Sequence, residues 1–167
     1  NNMGLLALRC SDLECAYKAF TQLQAVDYLS PYGWNGVGLV REAIGYSACS
    51  PVVALTAYEQ ARDLGLPPAA LPGLGIASLL SGNPTQAIVV LSKCVEHGSA
   101  DPSVHHALAL AYEARGLYHL ALRAVDSAIA LGKTCSSQET PSEPYRLSLS
   151  KSSDASLMYA TKARVLC

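Results

Sequence analysis

The chain has few charged residues and no long apolar run. Charged side chains make up 15% of its 167 residues, and the formal net charge is −1 at pH 7. That balance supplies no basic surface able to bind a phosphate backbone. No apolar stretch approaches the roughly 18 residues that a membrane-spanning helix requires. We therefore expect no direct binding of nucleic acid by this segment and no membrane partner.

Cysteine spacing gives no metal or redox motif. The six cysteines are Cys10, Cys15, Cys49, Cys94, Cys135 and Cys167. No two of them have the two-residue spacing of zinc knuckles and dithiol sites. A chain of this length can build a core without disulfides. We interpret these residues as reduced, mostly buried thiols of an intracellular protein.

Patterns typical of catalysis or cofactor binding are also missing. Gly33, Gly36 and Gly38 are close in sequence, but their order differs from that of the dinucleotide fingerprint, and no predicted strand precedes them. The four histidines lack the spacing of converging metal ligands, and no pair of cysteine and histidine is favoured as nucleophile and base. The sequence predicts no metal, no cofactor and no catalytic residue, so we do not expect an enzyme.

Small residues, in contrast, recur at a regular interval. The interval from Gly4 to Gly38 is the same as that from Gly75 to Ala109, and the junction between Gly38 and Gly75 is slightly longer. In three units an alanine follows the small residue by 12 positions, and a large residue follows four later. These triplets are Gly4–Ala16–Phe20, Gly75–Ala87–Leu91 and Ala109–Ala121–Val125. The second unit has Ala54 and Tyr58 instead, after a short insertion around residues 47–51.

This spacing resembles the tetratricopeptide (TPR) repeat. Each such repeat is a helix–turn–helix of about 34 residues, with a large residue, Leu-Gly and Tyr on the first helix and Ala, an aromatic and Ala on the second. Residues 102–133 fit best and include Tyr112, and Trp34 occupies the leading large position of the second unit. The resemblance implies an all-α, TPR-type α-solenoid, a right-handed superhelix of antiparallel helix pairs.

Unit boundaries follow from the repeat phase. About four units are predicted, at residues 1–31, 32–67, 68–101 and 102–133, the first of them truncated. The serine- and proline-rich residues 134–153 predict a loop or insertion. Residues 154–167 predict a further helix of a repeat or a cap, with Leu157, Ala160, Ala163 and Val165 on one face. A cap should be polar outside, whereas this segment ends in apolar residues, so we expect the solenoid to continue.

The first helices of stacked repeats line a concave groove. Its predicted partner-binding residues are Leu39, Glu42, Ile76, Leu79, Leu80, His106, Leu110 and Glu113, and the same phase points Leu5, Leu8, Arg9 and Asn35 inward. Burial of part of this stripe against the chain's own second helices is an equal alternative. A clamp for acidic C-termini needs lysine, asparagine and arginine here, and only Arg9 and Asn35 qualify, so no such clamp is expected.

One segment, from Ala16 to Tyr46, has a more specific residue pattern than the TPR repeat requires. Its distinguishing residues are Phe20, Gln24, Pro31, Trp34, Gly36 and the run Glu42-Ala43-Ile44-Gly45. They resemble the C-terminal arm of the TPR scaffold subunit of the superkiller complex. The resemblance implies a non-catalytic cytoplasmic scaffold, with the nucleus as a second compartment. It also implies helicase and β-propeller subunits as partners and a role in 3′-to-5′ mRNA decay by the exosome.

Two alternatives stay open. The first is the TPR arm of a larger enzyme, such as a sugar transferase or a hydroxylase, and the second is a generic trafficking or ciliary TPR adaptor.

Overall fold

A computed structural model describes residues 2–45, 51–67, 70–135 and 155–166. They form α1 (Asn2–Arg9), α2 (Leu13–Val26), α3 (Pro31–Ile44), α4 (Pro51–Asp63), α5 (Pro72–Leu80), α6 (Pro84–Glu96), α7 (Pro102–Ala114), α8 (Tyr118–Cys135) and α9 (Ala155–Leu166). None of the described residues forms a strand. Each helix packs against the next one along the chain, so α1–α2, α3–α4, α5–α6 and α7–α8 are helical hairpins. The all-α, TPR-type solenoid predicted from the sequence is confirmed.

Local chemistry determines where these helices begin and end. Pro102 occupies the first turn of α7, where its missing N–H is harmless, and the preceding Asp101 accepts a hydrogen bond from Ser103 N at 3.0 Å. Gly82 and Gly116 lie two residues beyond the ends of α5 and α7, with φ of +80° and +72°. Glycine adopts this left-handed conformation without a steric penalty, so the chain can turn into the second helix.

A large side chain of α2 fills the gap between the first two hairpins. Phe20 is 1% exposed and lies between α1 and α3. A Cβ added to Gly4 would be 2.6 Å from Phe20 Cζ, and one added to Gly36 would overlap the same ring. The two glycines therefore form a seat for the ring, one on each neighbouring first helix.

Tyr58 repeats this arrangement on α4. Its ring is fully buried, a Cβ on Gly38 would be 2.6 Å from Tyr58 Cε1, and one on Gly73 would overlap the ring. In α6 the equivalent residue is Leu91, which lies against Gly75. The alanines at the small-residue positions of the repeat are also buried, namely Ala16, Ala54, Ala87, Ala109 and Ala121. The size pattern of the sequence thus coincides with the closest approaches between helices.

The expectation that the cysteines are mostly buried is wrong for two of the three whose side chains the structure describes. Cys10 and Cys15 are exposed rather than buried, because they flank the short turn between α1 and α2, which reaches solvent. Cys94 is buried as expected. Cys49 and Cys167 lie outside the described residues, as does the side chain of Cys135.

In α9 the buried face differs from the one that was predicted. Met158 and Thr161 are buried, whereas Ala160 and Ala163 are exposed. Met158 is a long apolar side chain that has to be covered, and α9 packs mainly against α8. Most of the segment predicted as a loop lies outside the described residues, although α8 continues to Cys135. No helix in the described ranges is long and apolar enough to span a membrane.

The glycine seats can be tested with two matched substitutions. Gly36→Ala places a methyl group inside the Phe20 ring, and overpacking of this kind destabilises by about 1–3 kcal/mol, more than the gain in helix propensity. Gly132→Ala in α8 meets no atom within 4 Å and should stabilise by about 0.5–1 kcal/mol. Denaturant unfolding of both variants measures the difference. Two changes of the same sign would contradict the packing described here.

Candidate protein-binding groove

The eight residues predicted to line the groove differ in exposure. Leu80 is the most accessible, with 51% of its surface exposed. Four are half-buried, namely Leu39, Leu79, Leu110 and Glu113. Three are buried, namely Glu42, Ile76 and His106. Of the other inward positions, Leu5, Leu8 and Asn35 are buried and Arg9 is exposed. Burial against the chain's own helices therefore removes much of the predicted stripe from solvent.

Glu42 has an internal partner in place of a ligand. Tyr58 Oη donates a hydrogen bond of 2.6 Å to Glu42 Oε2, and both residues are buried. The Tyr58 ring is held between α3 and α5 by the glycine seat, so its hydroxyl is directed at the end of α3. Leaving a buried hydrogen-bonding group without its partner costs about 1–3 kcal/mol. The Glu42 side chain therefore links α3 to α4.

His106 and Glu113 are engaged by α9. His106 Nε2 is 3.1 Å from Thr161 Oγ1. The guanidinium of Arg164 donates to both Glu113 oxygens, at 2.6 and 2.7 Å. That two-point geometry fixes direction as well as distance. Both side chains that were expected to orient a partner on α7 are thus used to hold the following helix.

The surface that remains is apolar and centred on the end of α5. Leu80 is exposed there, and Leu79 beside it is partly covered by the core cluster that contains Ile76 and Leu91. The adjacent Ser81 Oγ is buried and has no hydrogen-bond partner. Leu39 and Leu110 are half-buried on the neighbouring first helices α3 and α7. This patch, Leu39, Leu79, Leu80 and Leu110, is called the α5 patch below.

Chemistry beyond binding has little support among the residues described. No group of three or more histidine, cysteine or acidic side chains in these ranges could hold a metal ion. Burial raises the pKa of Cys94 to about 11, so this thiol stays protonated and unreactive at neutral pH. That the chain has no catalytic residue remains a prediction.

The contact between α7 and α9 should depend on pH. Burial lowers the pKa of His106 below its usual 6.5, and the positive charge of Arg164 lowers it further. Burial also lowers the pKa of His105. Below pH 6.5 the unfolded chain therefore binds protons that the folded chain does not bind. The contribution of the two histidines to the free energy of unfolding is complete above pH 6.5. It falls as the pH is lowered toward their pKa values in the folded state.

We expect the melting temperature to fall as the pH is lowered from 6.5, and His106→Gln should flatten this dependence. His119 is exposed on α8, so His119→Gln serves as the matched control and should leave the slope unchanged. Thermal melts followed by circular dichroism between pH 5 and pH 8 measure both slopes. Identical slopes for the wild type and His106→Gln would contradict the assignment of this effect to His106.

Comparison with known proteins defines the fold. No family model and no curated protein matches the chain. It is similar to MamA 41-end from Desulfovibrio magneticus RS-1, with a TM-score of 0.65 and 19% identity over 99% of this chain and 90% of that one. A crystal structure of MamA protein gives a TM-score of 0.66 and 18% identity, over 99% of this chain and 87% of that one. At this identity the similarity establishes the helical-repeat fold alone.

Proposed function

We propose that the chain is part of a non-catalytic scaffold that binds a protein partner at the α5 patch. The observation that carries the proposal is the exposure of Leu80, 51% accessible at the end of a first helix. The helical-repeat fold shared with the MamA structures supports it, because stacked repeats use their extended surfaces for binding.

Energetics favour a small number of important contacts. Fully burying a leucine contributes about 1.5–3 kcal/mol, so covering the exposed half of Leu80 would contribute about 1 kcal/mol. Binding energy in protein interfaces concentrates in a few central residues surrounded by contacts that exclude water. Leu79 and Leu110 are half-buried around such a centre. The α5 patch therefore suits an apolar anchor residue of a partner, with Leu80 as its principal contact.

Leu80 is also the best position for a test. Leu79 lies nearer the middle of the stripe predicted from sequence, but it packs against a core cluster, and a charge there would disturb folding. Leu80→Glu should weaken partner binding at least about fivefold, since more than about 1 kcal/mol is lost. Val89→Glu is the matched control, because Val89 is 52% exposed on the second helix α6.

The measurement uses the tagged protein recovered from cell extract, with the retained proteins quantified by mass spectrometry for the wild type and both variants. We expect one set of proteins to be lost with Leu80→Glu and kept with Val89→Glu, at unchanged melting temperatures. Equal retention in a folded Leu80→Glu variant would exclude the α5 patch as the binding surface.

The more specific proposal is a superkiller-complex scaffold that supports exosome-mediated 3′-to-5′ mRNA decay, located in the cytoplasm and also in the nucleus. Its support is the residue pattern at the junction of α2 and α3. There Trp34 Nε1 donates to Tyr28 O at 3.2 Å, and the two rings meet edge to face with centroids 5.4 Å apart. Together with the seat of Phe20 on Gly36, these contacts set how the second hairpin follows the first.

Under this proposal, the tagged protein should co-purify with an RNA helicase and β-propeller subunits. Recovery of both subunit types, with loss of either one in Leu80→Glu, would support it. Recovery of transport or ciliary proteins in their place would favour an adaptor. A sugar transferase or hydroxylase activity of the purified protein would favour the arm of an enzyme.

A further inference from the structure

The contact of α9 with the α7–α8 hairpin uses every carboxylate that these two helices carry. Lys162 Nζ of α9 is 2.6 Å from Asp126 Oδ1 on α8, and Arg164 of α9 donates to both oxygens of Glu113 on α7. Asp126 and Glu113 are the only acidic residues of α8 and α7, and α9 itself contains none. The two cations of α9 are therefore matched by two carboxylates, with no carboxylate left over.

His106 lies in the same contact without a carboxylate of its own. Its side chain is buried, and Nε2 is 3.1 Å from Thr161 Oγ1 of α9. A neutral imidazole is well served by a hydroxyl partner. A protonated ring would add a third positive charge where Glu113 and Asp126 are already engaged. Because a buried charge without a counter-charge is costly, the closed contact favours the neutral form of His106.

The other helices packed against α7 do not supply the missing counter-charge. These helices are α5, α6, α8 and α9, and α5 contains no charged residue. The charged residues and histidines on the remaining helices, including α7 itself, are Lys93, Glu96, His105, Glu113, His119, Arg123, Asp126, Lys133, Lys162 and Arg164. Burial lowers the pKa of His106, and of these groups Arg164 alone lowers it further.

The effect of this histidine is confined to one end of the array. No histidine precedes His97 in the chain, so the packing of α1 to α5 around Phe20 and Tyr58 involves none. His105 is half-buried on α7, but the charge of Asp101 and a hydrogen bond to the backbone of Ser99 partly offset the effect of burial on its pKa. Protonation of His106 therefore acts chiefly on the contact between α7 and α9.

We propose that the contact between α7 and α9 is a pH-sensitive joint, which mild acid opens by protonating His106 while the packing of α1 to α8 is kept. Opening would expose His106 and Glu113 on either side of Leu110, which belongs to the α5 patch. The surface offered to a partner would then gain an imidazolium and a carboxylate in acid. The joint itself does not depend on the proposed binding function, because its opening is a property of the chain alone.

Hydrogen exchange followed by mass spectrometry tests the joint on the chain as it stands. Protection of the backbone amides is compared at pH 7.5 and pH 5.5, after correction for the intrinsic pH dependence of exchange. With the ordinary pKa of 6.5 in the open state, uptake of one proton changes the opening equilibrium at most about tenfold over this range. We expect protection of α9 to fall by about threefold to tenfold, and protection of α3 to α6 to stay the same.

Two substitutions assign the fall to the charge balance of the contact. His106→Gln should abolish it, whereas His119→Gln, at an exposed position of α8, should keep it. Arg164→Gln removes the neighbouring cation and leaves Glu113 available to a protonated His106. It should reduce the ratio between the two pH values even though it weakens the contact at pH 7.5. Arg123→Gln, exposed on α8, is its matched control and should keep the full ratio. A merely structural role of Arg164 would not alter this ratio.

Three results would overturn the proposal. The first is equal protection of α9 at the two pH values. The second is a loss of protection in α3 to α6 that parallels the loss in α9, because acid would then unfold the array as a whole. The third is an undiminished fall in both His106→Gln and Arg164→Gln, which would assign the effect to another group. None of these results bears on binding at the α5 patch, which the Leu80→Glu variant tests separately.

Discussion

The whole solenoid depends on seating a bulky side chain of each second helix between two first helices. Phe20 and Tyr58 are essentially inaccessible to solvent, and the glycines beside them leave no room for a Cβ. Protein interiors are packed as densely as organic crystals, so such a seat admits one register and one depth. The spacing between hairpins, and with it the curvature of the surface, follows from the sizes of a few residues.

Polar groups near these seats are used for internal contacts. Because the Tyr58 ring is fixed between α3 and α5, its hydroxyl must find an acceptor in the interior, and Glu42 supplies it. At the other end of the chain, His106 and Glu113 meet Thr161 and Arg164 of α9. A buried polar group without a partner is costly, so the stacking of hairpins takes up side chains that would otherwise face a ligand. What remains for binding is apolar and small.

The sequence could predict the repeat of small and large residues but not their contacts or the full surface. Residue size can be read from the sequence, so the recurrence of small and large positions was predictable, whereas the contacts of Gly4 with the Phe20 ring and of Gly38 with the Tyr58 ring come from the structure. Exposure depends on neighbours that are distant along the chain. His106 is buried near Thr161, 55 residues away, and Glu42 is bonded to a residue 16 positions later. The buried face predicted for α9 was wrong because an alanine can lie on either side of a helix, whereas a side chain as long and apolar as Met158 has to be covered.

Each first helix in this fold has two sides that need cover, one from its own second helix and one from the preceding hairpin. In a repeat array, stability is close to a sum of the intrinsic stabilities of the units and the interfaces between neighbours. Helix α1 has only eight residues, and isolated helices shorter than about 12 residues are marginal in water. Its order therefore comes almost entirely from the side that contacts Phe20 of α2. The Phe20 ring therefore couples the local stability of α1 to that of α3, because it lies against Gly4 on one helix and Gly36 on the other.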